Sequence, residues 1–344
     1  MECCNSRAPS RLLSKYLRFE KSLFAVDKSG QLAYHSTDLS DLNFARYISV
    51  YIMLVDSHCH LSIEKNSTVA TPTETEPKIE PADLVAAIVH RARCAGVEYL
   101  LNIGTDLSEI DQLKSTAERH EGVFYTVGVH PANAAEHLLR HSPAEISATI
   151  DEAIGSSKCV GIGEIGLDYH YTRDDEKGQK ELFELQMEIA RKHLLPISIH
   201  SRDSATDTIA ILRHHAGVPG VMHCFSGDRE FAFSALDLGF YISFSGVITF
   251  KNSRQLQEIV KIIPADRLLV ETDAPFLSPE PLRGKINEPA FLIHTAQKMA
   301  ALREASYEEI STTTCQNFFH LFSRATLCLE KTKKNCSGCM VNTP

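Results

Sequence analysis

Eight short apolar runs alternate with longer amphipathic segments between residue 52 and residue 271. The runs are rich in β-branched residues, as β-strands are. They lie near 52–57, 97–103, 123–128, 158–163, 196–199, 218–222, 240–244 and 267–271. The intervening segments repeat apolar residues every three or four positions, as at Leu182, Leu185 and Ile189, which is typical of helices with one buried face.

Eight successive strand–helix units predict an α/β fold, a closed parallel (β/α)8 barrel of the TIM type with its helices outside. An open doubly wound sheet is the alternative, but the first strand is not followed by a G-x-G-x-x-G turn. A last helical segment, from Tyr307 to Ser323, is expected to pack across the barrel.

The two ends of the chain differ from the barrel region. Residues 1–52 are basic and show no clear period, so we expect a flexible extension or a segment upstream of a start at Met53. Their first 25 positions contain Arg and Ser and few acids, which leaves a targeting peptide as the alternative. Residues 326–344 are expected to be a disordered tail, whose one C-x-x-C pair, Cys336 and Cys339, lacks the second pair of a zinc site.

Composition narrows the class of protein. Of 344 residues, 43% are hydrophobic, yet no run reaches the roughly 18 apolar residues of a membrane span. Ten cysteines without an apolar signal segment indicate reduced thiols and a cytoplasmic protein. The net charge of −9 excludes nonspecific coating of nucleic acid by the whole surface. Any such contact must therefore come from a local basic site or from metal ions.

Histidines and carboxylates follow six of the eight predicted strands. In a barrel these strand ends converge on one face, where active sites form. A single such histidine is more often a buried polar residue of the core, but six strand ends of this kind indicate one converged site. The candidate ligands are His58, His60, Glu164, His200, His223 and Asp273, with His130 beside them.

This set of side chains is typical of a metal centre. His58 and His60 are two residues apart on an extended strand end and therefore point to the same side. Imidazole with carboxylate suits zinc, manganese or iron, whereas magnesium prefers more oxygen ligands. Four histidines and two carboxylates are enough for two divalent cations about 4 Å apart, with zinc, manganese and magnesium all left open. A single structural metal and histidines buried for packing are the alternatives, although a structural zinc would be expected to use cysteine.

Basic residues also follow several strands. They are Arg202, Lys251, Arg283 and Lys285, and four cations beside a metal site on an acidic protein indicate recognition of an anion such as phosphate. Cys59 and Cys224 adjoin the candidate ligands, but we expect them to face the other way along their strands and to pack in the interior.

Seven segments resemble the signature blocks of the TatD family of metal-dependent deoxyribonucleases, which belongs to the amidohydrolase-like barrels. The resemblance covers about residues 53–325, which we take as one hydrolase domain. The segments are DSHCHL (56–61), GVHP (128–131), GEIGLDY (163–169), HSRD (200–203), HCFSG (223–227), ETDAPFL (271–277) and RGKINEP (283–289).

The resemblance implies a role for each matching residue. One ion would be bound by His58, His60, Glu164 and Asp273, and the other by the shared Glu164 with His200 and His223. Substrate would be bordered by His130, Arg202 and the loop from Arg283 to Glu288. Two features depart from the family: Ile286 stands where another basic residue is usual, and the polar loop 62–81 beside the first ligands is longer than usual.

These observations predict a divalent-metal-dependent hydrolase that cleaves phosphodiester bonds of DNA from its ends. Activated water would attack phosphorus, with Asp273 as ligand and proton acceptor, Glu164 between the ions, and Arg202 with Lys251 offsetting phosphate charge. DNA with single-stranded or frayed ends is the expected partner, because no motif for reading base sequence is present. No membrane and no obligate protein partner are expected.

An amidohydrolase-type enzyme that cleaves a C–N or carboxylic ester bond is the alternative function. Some such enzymes bridge their ions with a carbamylated lysine, but Glu164 stands in that place here. A metal-binding adaptor without catalysis is disfavoured because no ligand position is lost. Fold alone does not separate these functions.

Overall fold

The computed structural model describes residues 24–26, 32–34, 53–61, 81–171 and 173–338. The chain divides into two units, Met1–Ile52 and Met53–Pro344. In the first unit, Phe24–Val26 pairs antiparallel with Leu32–Tyr34. The rest of residues 1–52 and the greater part of the polar loop 62–81 lie outside the described residues, as do the expectations for them. Within the part of the chain that is described, no helix combines the length and apolar character needed to cross a bilayer.

Among its described residues, the second unit contains eight strands that pair in the order of the sequence, all of them parallel. The strand order never reverses, as it would in a doubly wound sheet, so the predicted (β/α)8 barrel is confirmed. The strands are β1 (Leu54–Cys59), β2 (Val97–Ile103), β3 (Val123–Val127), β4 (Cys159–Asp168), β5 (Ile197–Arg202), β6 (Gly220–Met222), β7 (Tyr241–Phe244) and β8 (Leu268–Val270).

Helices follow the strands and bury one face against them, as the spacing of apolar residues predicts. They are α1 (Pro81–Cys94), α2 (Ile110–Arg119), α3 (Ala134–Arg140), α4 (Pro143–Ala153), α5 (Glu176–His193), α6 (Ala205–His214), α7 (Arg229–Asp237), α8 (Arg254–Ile262), α9 (Leu292–Arg303), α10 (Tyr307–Leu321) and α11 (Ser323–Gly338). Leu182, Phe183 and Met187 form the buried face of α5. Ser142 and Ser306 begin α4 and α10 with capping boxes, which satisfy amide groups at each helix start.

Helix α10 covers the place where the barrel closes. Ser311 of α10 donates a hydrogen bond to the carbonyl of Met53, and Asn317 donates to that of Leu268, so α10 joins the starts of β1 and β8 as expected. Helix α11 continues to Gly338. The expectation of a disordered tail is therefore wrong for residues 326–338, where Cys328 is buried, while Cys339 lies outside the described residues.

The opposite ends of β1 and β8 are joined by the segments that carry candidate ligands. The Asp273 amide donates to the carbonyl of His58 at 2.9 Å, and the His60 amide donates to the carbonyl of Ala274 at 2.8 Å. Below them, the buried carboxyl of Asp56 accepts hydrogen bonds from the amide and the hydroxyl of Thr272 at 2.9 and 2.5 Å. Burial raises the pKa of Asp56 to about 8. The closure of the barrel thus brings ligands from its first and last strands together.

A glycine allows β4 and β5 to approach each other near the site. Gly166 has a φ of +135°, and a Cβ built there would lie 2.0 Å from the carbonyl oxygen of His200. Any other residue would push the two strands apart. Glu164 and His200 lie on these strands, so their approach depends on this glycine.

We predict that the Asp56 hydrogen bonds stabilise the closed barrel. Asp56→Ala leaves two buried Thr272 donors without their acceptor and should lower the free energy of unfolding by about 2–4 kcal/mol, or the melting temperature by about 4 °C or more. Asp56→Asn can still accept from the amide of Thr272 and donate to its hydroxyl, so it should lose clearly less. Thermal unfolding of both variants measures the difference. Equal losses would contradict this prediction, because Asp56→Asn leaves no cavity and keeps hydrogen-bonding atoms beside Thr272.

Candidate metal centre

A cavity of about 680 Å³ opens at the carboxyl ends of the strands. Side chains from six strand ends line it: His60, His130, Glu164, His200, His223 and Asp273. His58 lies beneath them and is fully buried. The structure therefore brings all six predicted metal ligands, and His130, to one place.

Four of these side chains aim one atom each at a common centre. The Nε2 atom of His58 lies 3.5 Å from Glu164 Oε2 and 3.7 Å from Asp273 Oδ1. The Nε2 atom of His60 lies 3.7 and 3.6 Å from the same two oxygens. Donors around one tetrahedral ion with bonds of about 2.0–2.1 Å are separated by about 3.4 Å. This first cluster therefore fits a single divalent cation as it stands.

In both histidines of the first cluster, Nδ1 contacts a neighbouring oxygen, and this contact orients the ring. Nδ1 of His60 lies 3.1 Å from the carbonyl oxygen of Ile103, so it carries the proton and leaves the lone pair of Nε2 directed at the carboxylates. Nδ1 of His58 lies 3.3 Å from the hydroxyl of Ser198. Burial, with the nearby imidazole of His223, lowers the pKa of His58 to about 4. Among the described residues, its buried Nε2 has no hydrogen-bond partner, which a metal ion would explain.

A second cluster surrounds the other oxygen of Glu164. Oε1 lies 2.8 Å from His223 Nε2 and 2.9 Å from His200 Nδ1, and those two nitrogens are 3.4 Å apart. Behind them, His200 Nε2 lies 3.0 Å from Asp168 Oδ2, and His223 Nδ1 lies 3.3 Å from Glu271 Oε1. A carboxylate behind a ligand histidine fixes its ring and raises its basicity. Neither Asp168 nor Glu271 is predicted from the sequence to contact a ligand histidine.

The electrostatics of the second cluster differ from those of the first. Burial would raise the pKa of Glu164, but the imidazoles of His223 and His130 outweigh it and hold the carboxyl ionised. Burial would lower the pKa of His200 and of His223, but hydrogen bonds and charge from the neighbouring carboxylates raise both. Each of these two imidazoles must therefore release a proton before it binds a cation.

His130 differs from the candidate ligand histidines in its hydrogen bonding. Its Nδ1 accepts from the amide of Ala132 at 3.1 Å, and burial lowers its pKa to about 3, so the neutral ring carries its proton on Nε2. That Nε2 lies 3.5 Å from Glu164 Oε1. His130, Glu164 and His200 are close enough to surround an ion, but a protonated Nε2 donates and does not ligate. This geometry supports a place for His130 beside the metal ligands.

The four predicted basic residues differ in whether they line the metal cavity. Arg202 lines the cavity, and its guanidinium stacks over the ring of Tyr171 at 4.6 Å. Lys251, Arg283 and Lys285 are exposed and do not line the cavity; the guanidinium of Arg283 lies over the ring of Phe250 at 3.7 Å. Of the four cations, the structure therefore brings Arg202 alone to the metal cavity.

The two cysteines beside the ligands also differ from each other. Cys59 is buried in the core, and its thiol donates to the carbonyl of Leu101 at 3.5 Å, as expected for packing. Cys224 lines the cavity, with Sγ 3.2 Å from the hydroxyl of Ser245. The expectation that Cys224 faces away is wrong, because its left-handed φ of +40° interrupts strand alternation.

Comparison with known proteins links this site to one family. The profile of the family described as TatD related DNase matches residues 55–323. The metal-dependent hydrolase YabD of Bacillus subtilis is 38% identical over 272 residues, covering 78% of this chain and 99% of that protein. A 3'-5' ssDNA/RNA exonuclease, TatD of Erwinia tasmaniensis, is 36% identical over 246 residues, covering 69% and 92%. The crystal structure of YJJV, a TatD homologue of Escherichia coli, superposes with a TM-score of 0.68 at 26% identity, covering 78% and 98%.

We predict that Glu164 is needed for both metal ions. Glu164→Gln removes the charge shared by the two clusters, so bound metal and activity should fall together, activity by more than about a hundredfold. His200→Ala should lose the second ion, whereas His130→Ala should keep its metal and lose activity. Elemental analysis of dialysed protein, combined with turnover of a DNA oligonucleotide, measures both properties.

Cys59→Ser is the control, since this buried thiol adjoins both ligands of β1 and should change neither property. Turnover like that of the wild type in Glu164→Gln would contradict the shared-ligand assignment. Loss of metal in His130→Ala as severe as in His200→Ala would show that His130 is itself a ligand.

Proposed function

The chain belongs to the TatD related DNase family and is a metal-dependent hydrolase, and from this premise we propose that it removes nucleotides from the ends of DNA. The observation that carries the proposal is the position of Glu164, whose two oxygens face two separate clusters of histidine nitrogens. Arg202 lines the same cavity and supplies a cation for the phosphate.

Two divalent cations held by the two clusters would activate water and offset charge on the phosphate. His58, His60, Glu164 and Asp273 would hold one of them, and Glu164, His200 and His223 the other. Their identity among zinc, manganese and magnesium is left open by the donor set.

Other atoms of the chain face the substrate. Asp273 lines the cavity and keeps 14% of its side chain exposed, so its carboxylate can accept the proton of the attacking water. The protonated Nε2 of His130 can donate a hydrogen bond to a phosphate oxygen. Arg202 can pair with that phosphate through its planar guanidinium.

The form of the substrate follows from the charge around the cavity. A protein that wraps a duplex needs many cations along the groove or backbone, whereas this acidic chain places Arg202 beside its metal cavity. A single-stranded or frayed DNA end needs few phosphate contacts. The name of the Erwinia tasmaniensis relative, an exonuclease of single-stranded DNA and RNA, supports an unpaired substrate.

We predict that Arg202→Ala weakens DNA cleavage and leaves bound metal unchanged. Loss of one charge-assisted contact costs about 1.5–3 kcal/mol, so kcat/KM should fall about tenfold to a hundredfold. Lys251→Ala is the matched control: it removes an exposed cation outside the cavity and should change kcat/KM less than about threefold.

A set of three substrates separates phosphodiester cleavage from the amidohydrolase alternative. Single-stranded DNA, a simple phosphodiester and a neutral lactone are assayed with the metal-loaded protein. We expect turnover of DNA that decreases with added salt. Metal-dependent turnover of the lactone without cleavage of either phosphodiester would overturn the proposed function.

A further inference from the structure

Two exposed aromatic rings stand at the mouth of the metal cavity. Tyr171 and Phe276 are 72% and 52% exposed, and both line the cavity. The other large hydrophobic side chains that are exposed in the described ranges do not line it. Exposed aromatic surface of this kind is costly in water and is typical of binding sites.

The backbone of Phe276 is held in place by hydrogen bonds on both sides. Its amide donates to the carbonyl of Asp273 at 2.9 Å, and its carbonyl accepts from the side chain of Asn287 at 2.6 Å. The same buried Asn287 side chain donates to the carbonyl of Thr272 at 2.8 Å. The phenyl ring is therefore presented from the segment that also carries the ligand Asp273.

The ring of Phe276 adjoins the metal centre directly. It meets the ring of the ligand His60 edge to face, with centroids 6.3 Å apart and an interplanar angle of 70°. In a nucleotide the base is joined to its phosphate through one sugar. A phosphate above the metal ligands would therefore bring its own base to the ring of Phe276.

Tyr171 stands on the other side of the cavity. It follows β4 and Phe276 follows β8, four strands apart in a ring of eight. The Tyr171 amide donates to Asp168 Oδ1 at 3.0 Å, and Asp168 also contacts the ligand His200. The guanidinium of Arg202 covers one face of the tyrosine ring. A guanidinium plane, like an aromatic ring, can stack on a base.

We propose that Phe276, with Tyr171 and Arg202 opposite, forms a base-stacking subsite for the unpaired terminal nucleotide that the metal centre releases. This inference rests on the proposed function and adds the part of the substrate that is recognised. A base within a duplex has both faces covered by its neighbours, so this subsite selects single-stranded ends. Every base offers an aromatic face, so the subsite is indifferent to sequence.

An oligonucleotide whose terminal residues lack a base tests this subsite. The metal-loaded full chain is given a single-stranded thymidine oligonucleotide and the same oligonucleotide with an abasic residue at each end, and kcat/KM is measured for release of the first nucleotide. Stacking on one aromatic ring is worth about 1–3 kcal/mol per base. The wild-type protein should therefore prefer the intact end by about fivefold to 150-fold.

Two variants assign that preference to Phe276. Phe276→Ala should lose a similar factor on the intact end and lose little more on the abasic end, whereas Phe276→Tyr should keep the preference. Phe233→Ala is the matched control, because Phe233 is also exposed beneath a guanidinium, that of Arg229 at 5.3 Å, but does not line the cavity. Bound metal and melting temperature are measured for each variant.

The outcomes separate this proposal from the one on which it rests. Equal rates on intact and abasic ends, or an equal loss on both in Phe276→Ala with full metal content, would overturn the stacking subsite while DNA cleavage stands. Failure of the wild-type protein to release nucleotides from either oligonucleotide would overturn the proposed function and the subsite together.

Discussion

The metal centre depends on the contacts between the buried carboxylate of Glu164 and the histidines around it. Four imidazoles, those of His58, His130, His200 and His223, lie within 3.5 Å of its oxygens. The rings of His58 and His223 stack at 3.8 Å, a distance at which two protonated rings would repel. The negative charge of Glu164 offsets this repulsion between imidazoles. The carboxyl carries that charge because its histidine neighbours hold its pKa well below the ordinary value.

The barrel supplies the geometry for that carboxylate. Closure between β1 and β8 brings His58 and His60 to Asp273, while Gly166 lets β4 approach β5 so that Glu164 reaches His200. The candidate metal centre thus lies where the barrel closes and beside the close approach of β4 and β5 at Gly166. In the proposed function, the substrate is recognised by Arg202 at the end of β5 and by the rings of Tyr171 and Phe276, which follow β4 and β8.

The sequence predicts the placement of the candidate ligands better than that of the residues around them, for a physical reason. A strand alternates its side chains with a period of two, so the direction of His58 and His60 follows from their spacing. Lys251, Arg283 and Lys285 lie on loops, whose course depends on contacts that spacing does not encode, such as the stacking of Arg283 on Phe250. For the same reason, the sequence does not predict that Cys224 lines the cavity, and only the assembled barrel shows what Asp168 and Glu271 contact.

The central claim is that one carboxylate bridges two ions, and anomalous diffraction from crystals of the manganese-loaded protein tests it most directly. The account predicts two peaks, one among His58, His60 and Asp273 and the other between His200 and His223, with one oxygen of Glu164 facing each. A single peak at full occupancy, or a second peak ligated by His130 in place of His223, would contradict it.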